Sequence, residues 1–147
     1  MPVTGKCLCG AVSYIVNAEK PEVGVCHCEM CRRWTGGVFV SFSAKPDEVT
    51  FGGEDKIKTR QTSPWAERAF CADCGSSLYY RVTADGPHKG EYHMGAGTRD
   101  DWDGVALNSE IYIDKKPAAY AFAGSRNTMT EAEVMAMFAP PPDGEDA

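Results

Sequence analysis

The sequence lacks the long apolar run that a membrane-spanning helix requires. No hydrophobic stretch approaches the roughly 18 residues that such a helix needs, and the contents of 43% hydrophobic and 24% charged residues are typical of a soluble globular protein. The first residues, MPVTGKCLCGAV, also lack the charged start, apolar segment and cleavage site of a secretory signal. We therefore expect a globular protein of the reducing cytoplasm, without a membrane partner.

An excess of basic residues is also missing. The chain has 15 Lys and Arg against 21 Asp and Glu, which gives a formal net charge of -6. Since binding to phosphate backbones depends on an excess of Lys and Arg, the composition excludes nucleic acid as a partner of the whole surface. It leaves room only for a local basic patch.

Neither a fixed-period repeat nor a linker divides the 147 residues, which suffice for one domain with its own core. Short segments rich in β-branched and aromatic residues alternate with Gly, Pro, Asn and Asp, and so predict a mostly β fold. The predicted strands lie at 11–16, 38–42, 57–62, 66–70, 77–82, 91–94 and 109–113.

One short helix is predicted near the end of the chain. Thr130 and Glu133 match a capping box, and the residues Val134, Met137 and Phe138 fall on one side of the helix, which we interpret as a packing face. Prolines at 140–142 would end the helix. The acidic residues 143–147 are expected to fray.

Seven cysteines stand out against this background. Each belongs to a C-x-C or C-x-x-C cluster, and their number is odd. In a reducing compartment this pattern indicates metal binding rather than disulfides or redox dithiols. The cysteines are Cys7, Cys9, Cys26, Cys28, Cys31, Cys71 and Cys74.

The outer two pairs predict one closed zinc site. An extended backbone places the sulfurs of Cys7 and Cys9 on the same side, and a glycine directly follows both this pair and the pair Cys71 and Cys74. Glycine permits a tight turn that aims backbone N–H groups at the sulfurs. Together the two pairs would complete a tetrahedral site and staple the N-terminal strand to the middle of the chain, with no position left for substrate.

The remaining cysteines, Cys26, Cys28 and Cys31, offer only three sulfurs. If a strand turns after Cys28, all three can share one face, while His27 points the other way as a nearby or surface hydrogen-bond donor. Three protein ligands with an exchangeable fourth position are typical of a catalytic zinc. Two alternatives stay open: His88, His93 or a carboxylate closes the site, or the three cysteines share one zinc with another pair.

An open zinc with three thiolates suits an incoming thiol. The metal would deprotonate that thiol, whereas its soft ligands weaken its ability to ionise water. Arg32 and Arg33 directly follow Cys31, and their guanidinium groups can offset the negative charge or bind the carboxylates of a thiol-bearing peptide. Trp34 is also expected to lie beside this site.

The order and spacing of the clusters resemble the glutathione-dependent formaldehyde-activating enzyme family, which includes centromere protein V. The resemblance extends from about Thr4 to Gly124. It rests on GKCLCGAVSY, VCHCEMCRRWTGG, RAFCADCGSSLYYR, GAGTRDD and EIYIDKKPAAYAFAG. It implies a single domain of several coiled, mostly antiparallel sheets at 4–124, followed by the helix and acidic tail at 125–147.

The resemblance also implies a structural zinc on Cys7, Cys9, Cys71 and Cys74, and a second zinc on Cys26, Cys28 and Cys31. For the namesake enzyme it implies that glutathione and formaldehyde combine to S-hydroxymethylglutathione, a reaction grouped with carbon–sulfur lyases. We therefore expect a small thiol and an aldehyde as partners and two zinc ions per chain. The alternative hypothesis is a non-catalytic, zinc-stapled binding or scaffold protein.

Overall fold

The computed structural model describes residues 1–138, which fall into two compact units. Unit 1 consists of Met1–Val23 and Val40–Leu107, and unit 2 consists of Gly24–Phe39 and the chain from Asn108 onward. Strands dominate the secondary structure, so the mostly β prediction is confirmed. In this part of the chain neither α-helix is long and apolar enough to cross a membrane.

The described residues contain strands β1 to β11 and helices α1 and α2. The strands are β1 (Val3–Lys6), β2 (Ser13–Val16), β3 (Glu22–Cys26), β4 (Phe39–Ala44), β5 (Val49–Gly52), β6 (Ile57–Ser63), β7 (Ala66–Cys71), β8 (Ser77–Val82), β9 (Tyr92–Gly95), β10 (Ala106–Ile111) and β11 (Asn127–Met129). The helices are α1 (Glu29–Thr35) and α2 (Glu131–Phe138), with short 3-10 turns at Pro46–Glu48, Glu54–Lys56, Ala96–Thr98 and Ile113–Lys115.

Unit 1 is built from antiparallel strands. Three strands form a small sheet in the order β1, β2, β5. Five more pair with their neighbours in the order β4, β9, β8, β7, β6. Burial alternates along β1 and β2, as expected where one face of a sheet is packed and the other is solvated. Tyr14 and Val16 of β2 lie on the packed face.

The core of unit 1 includes two of the cysteines. Phe51, Tyr79 and Tyr92 contact one another with ring centroids 4.8 to 5.7 Å apart, in tilted or edge-on arrangements that aromatic rings prefer. Cys7 and Cys71 belong to the same buried cluster as Tyr79. Both of these cysteines therefore lie in the packed interior of unit 1.

Unit 2 contains the strand order β11, β10, β3, in which β10 and β11 are parallel. Helix α1 begins three residues after the end of β3, and α2 begins two residues after β11. The buried apolar residues of this unit include Val25, Cys31, Phe39 and Val134. Unit 2 thus has a small packed interior that contains one of the central cysteines.

The capping box of α2 is confirmed, but its proposed packing face is not. The Glu133 N–H donates to Thr130 Oγ1 at 3.2 Å, and the Thr130 N–H donates to Glu133 Oε1 at 2.7 Å. Val134 is buried, whereas Met137 and Phe138 are 59% and 62% exposed. With α2 only eight residues long, a single side chain reaches the interior. The prolines at 140–142 and the tail at 143–147 lie outside the described residues.

Candidate metal centres

The four-cysteine cluster consists of Cys7, Cys9, Cys71 and Cys74. Their sulfurs all lie within 4.8 Å of one another, with Cys7 Sγ 3.7 Å from Cys9 Sγ and Cys9 Sγ 3.9 Å from Cys71 Sγ. A tetrahedral zinc with bonds of about 2.3 Å requires sulfurs about 3.8 Å apart. Both the donor set and the spacing therefore fit zinc, as the sequence spacing predicts.

Two backbone turns position the cysteines of this cluster. The Gly10 N–H donates to the Cys7 carbonyl at 3.1 Å, and the Gly75 N–H donates to the Cys71 carbonyl at 2.8 Å. Both glycines have positive φ, 82° and 78°, a conformation that costs glycine little. The Val12 N–H then donates to Cys7 Sγ at 3.3 Å. The predicted turn that aims an N–H group at a sulfur is thus present.

Ser76 connects the two halves of the cluster and was missed by the sequence reasoning. Its Oγ accepts a hydrogen bond from the Leu8 N–H at 3.0 Å and lies 3.1 Å from Cys74 Sγ. The hydrogen bond from Ser76 lowers the pKa of Cys74 to about 5, because it stabilises the thiolate. A hydroxyl residue directly after the C-x-x-C-G motif is the signal that could have indicated this contact.

The three-cysteine cluster consists of Cys26, Cys28 and Cys31, whose sulfurs also lie within 4.8 Å of one another. Cys26 ends β3, Cys28 is the N-cap of α1, and Cys31 lies in the first helical turn. Cys28 Sγ accepts a hydrogen bond from the Cys31 N–H at 3.3 Å. The expected strand turn is therefore a helix start, and one helical turn returns Cys31 to the side of Cys28.

Among residues 1–138, no histidine, carboxylate or further cysteine joins this cluster. His88 Nδ1 and His93 Nε2 instead lie 3.7 Å and 3.3 Å from the carboxylate of Glu91. Hydrogen bonds with the sulfurs of Cys28 and Cys31, followed by burial and by repulsion between thiolates, raise the pKa of Cys26. The donor set suits a soft metal ion, and three sulfurs are one fewer than the four ligands of a closed zinc site.

The residues predicted to contact substrate, Arg32, Arg33 and Trp34, lie on α1 with Cys31. Arg33 Nε donates to Glu29 Oε2 at 2.8 Å, and both side chains are exposed. The ring centroids of Trp34 and Phe39 lie 5.1 Å apart. A short helix thus carries one sulfur of the three-cysteine cluster and two cationic side chains. Substrate binding by these three residues stays a prediction.

Sequence reasoning also missed a strained residue in unit 2. Tyr112 has a φ of 56° and is the one non-glycine residue with positive φ in the described part of the chain. It directly follows Ile111, whose carbonyl accepts the N–H of His27 at 3.1 Å. Aromatic residues seldom adopt this conformation, so the sequence gives no signal for it. Such strain persists only where surrounding contacts impose it.

The fold and the two clusters define a mostly β protein that can bind metal ions through seven cysteines, none of them in a disulfide. The family described as glutathione-dependent formaldehyde-activating enzyme matches residues 2–115, and the chain belongs to this family.

Individual relatives agree with this assignment. The chain is 32% identical over 131 residues to an uncharacterized lyase of Schizosaccharomyces pombe, covering 89% of this chain and 93% of the relative. It is 33% identical over 88 residues to a protein of Halomonas elongata named as a putative glutathione-dependent formaldehyde-activating enzyme, covering 54% and 55% of the two chains. A crystal structure of a Rhodobacter sphaeroides protein has a TM-score of 0.55 at 22% identity, covering 71% of this chain and 99% of that one. The last similarity concerns the fold alone.

Proposed function

We propose that this protein is a lyase-type enzyme that adds a small thiol such as glutathione to formaldehyde or a related aldehyde, or catalyses the reverse reaction. The observation that carries the proposal is the three-cysteine cluster, which no histidine, carboxylate or fourth cysteine joins among residues 1–138. Three protein ligands and one exchangeable position are typical of catalytic rather than structural zinc. The names of the two curated relatives, one a lyase and one a formaldehyde-activating enzyme, support the same reaction class.

In this proposal zinc is the metal at both clusters. Cys7, Cys9, Cys71 and Cys74 hold a structural ion, and Cys26, Cys28 and Cys31 hold the second. When bound at the second cluster, zinc supplies an exchangeable coordination position and lowers the pKa of an incoming thiol. The free, clustered thiols are also consistent with the reducing cytoplasm as the place of action.

The reaction needs neither an oxidant nor a reductant. A carbon–sulfur bond forms between the thiol sulfur and the aldehyde carbon, the carbonyl π bond breaks, and the thiol proton ends on the former carbonyl oxygen. The chain contributes by bringing the two reactants together. Arg32 and Arg33 follow Cys31 on α1, where their positive charges can hold the carboxylates of a peptide thiol and offset the charge of the sulfurs.

The test uses protein loaded with cobalt in place of zinc. Glutathione should change the sulfur-to-cobalt absorption band of the three-cysteine cluster, and zinc-loaded protein should accelerate formation of S-hydroxymethylglutathione from isotope-labelled formaldehyde, followed by NMR. Cys28→Ser should abolish both responses. Met30→Leu is the matched control, because Met30 lies on α1 between two ligands but carries no ligand atom for this cluster.

Protein that binds two metal ions per chain but shows neither a spectral change nor product would contradict the proposal. That result would favour the alternative, a zinc-stapled binding or scaffold protein. Chelator sensitivity provides an independent readout. The proposal predicts that one ion is removed quickly and the other only on unfolding, since only an open site admits a competing ligand.

A further inference from the structure

A buried polar network in unit 2 is unused by the proposed reaction. His27 lies between the ligands Cys26 and Cys28, yet its side chain takes no part in their cluster and is fully buried. His27 Nε2 lies 2.7 Å from Glu110 Oε1, and the His27 backbone N–H donates to the Ile111 carbonyl at 3.1 Å. Both the ring and the backbone of this residue are thus attached to the end of β10.

Glu110 is itself held by a second partner. Arg126 Nη1 donates to Glu110 Oε2 at 2.6 Å, and Arg126 Nη2 donates to the carbonyl of Ala123. The side chains of Glu110 and Arg126 are only 6% and 8% exposed. Burial opposes ionisation of Glu110, but the hydrogen bonds from His27 and Arg126 outweigh it and lower its pKa. The carboxylate therefore accepts on both oxygens.

The network fixes the orientation of the imidazole ring. The hydrogen bond between His27 Nε2 and Glu110 Oε1, 2.7 Å long, directs the Nε2 edge of the ring toward β10. The other ring nitrogen, Nδ1, is buried and has no hydrogen-bond partner among residues 1–138. The rings of Tyr120 and Phe122 lie with centroids 6.3 Å and 6.1 Å from that of His27, and they restrict its movement further.

We propose that His27, Glu110 and Arg126 form a positioning relay, which holds Cys26 and Cys28 so that their sulfurs converge on one metal ion. Consecutive Cα atoms are only about 3.8 Å apart, so a displacement of His27 moves the two flanking ligands directly. His27 thereby ties the ligand segment to β10, and Arg126 fixes the carboxylate that holds His27. The relay acts on metal retention and does not depend on the chemical reaction proposed above.

If the network only stabilised the fold, disturbing it would affect metal binding at both cysteine clusters. The four-cysteine cluster belongs entirely to unit 1 and has its own hydrogen bonds from Val12 and Ser76. The relay belongs entirely to unit 2. Disturbing the relay should therefore weaken metal binding at the three-cysteine cluster and leave the other cluster unchanged. Loss of partners that orient metal ligands typically reduces metal affinity by about 10 to 100-fold.

The test compares Glu110→Gln with wild type. The substitution preserves size but removes the charge that Arg126 and His27 share. Cobalt titration against a competing chelator should show about a 10 to 100-fold loss of affinity at the three-cysteine cluster and no change at the other. At saturating cobalt the ligand-field bands of the three-cysteine cluster should also shift, which a loss of global stability alone would not produce.

Tyr14→Phe is the matched control, because it also removes a hydrogen bond of a buried side chain, but within unit 1. Tyr14 Oη lies 2.8 Å from Thr98 Oγ1. It should leave the three-cysteine cluster unchanged. Arg126→Lys keeps the charge but loses the planar fork, and should give a smaller selective loss. If Glu110→Gln does not fold, Arg126→Lys decides by the same two measurements. Equal losses at both clusters, or no loss at either, would overturn the proposal.

Discussion

Gly53 lies against the turn that prepares the four-cysteine cluster. A Cβ added to Gly53 would lie 1.9 Å from the carbonyl oxygen of Ala11, whereas ordinary contact begins at 3.4 Å. Ala11 would therefore have to move by about 1.5 Å. The adjacent Val12 N–H donates to Cys7 Sγ, so this movement would disturb one of the metal ligands.

The expected cost of Gly53→Ala has two parts. Gly53 has a φ of 71°, and placing an L-residue there costs about 1 kcal/mol. Overpacking against fixed backbone costs about 1 to 3 kcal/mol more. The total of about 2 to 4 kcal/mol corresponds to a fall in Tm of roughly 4 to 16 °C for a chain of this size.

Thermal unfolding of the zinc-loaded protein measures this effect. Gly97→Ala is the matched control, because Gly97 is exposed within the 3-10 turn Ala96–Thr98 and an added Cβ would meet no atom within 4 Å. Its Tm should stay within roughly 2 °C of wild type. A Gly53→Ala protein as stable as the control would refute the close contact between Gly53 and Ala11.

Three further substitutions test other parts of the structure. Cys71→Ser should lower the metal content to one ion per chain and unfold unit 1, because Cys71 belongs both to the four-cysteine cluster and to the core. Metal analysis and circular dichroism measure these two effects, and a folded variant with two ions would contradict the prediction. Tyr79→Ala should lower the free energy of unfolding, measured with urea, by about 3 to 5 kcal/mol, because the buried ring packs in an aromatic cluster. A loss below about 1 kcal/mol would be inconsistent with that packing. The hydrogen bond from the Lys45 N–H lowers the pKa of Glu48 in the folded protein. Wild type should therefore be more stable than Glu48→Gln above the pKa of an unfolded glutamate. This difference in stability should vanish as the pH falls through the lower pKa of the folded state. Urea unfolding over a pH series checks this, and an advantage that persists in strong acid would disprove it.

The two cysteine clusters could be predicted from the sequence because most of their members lie close together along the chain. C-x-C and C-x-x-C spacings bring sulfurs together through one turn of backbone, as at Cys7 and Cys9 or Cys71 and Cys74. Helix α1 could not be predicted in this way. It is seven residues long and its N-cap is Cys28, whereas the residues that usually cap the start of a helix are Ser, Thr, Asp and Asn.

Long-range pairing explains a feature of unit 2 that the sequence did not predict. Glutamate is almost never fully buried unless it is paired, and the carboxylate of Glu110 is both buried and paired. Its partners, His27 and Arg126, lie 83 and 16 residues away along the chain. A single sequence gives no indication that such residues meet, because burial of a charge depends on partners that only the folded chain brings together.

The central claim is that the metal of the three-cysteine cluster has one position open to an external thiol. X-ray absorption at the zinc edge measures it by counting sulfur ligands before and after glutathione is added. One closed and one open site predict an average of about 3.5 sulfurs per zinc, with lighter atoms making up the rest, and an increase toward about four with glutathione. An average that does not change with glutathione, or four protein ligands at both ions from the start, would contradict the account.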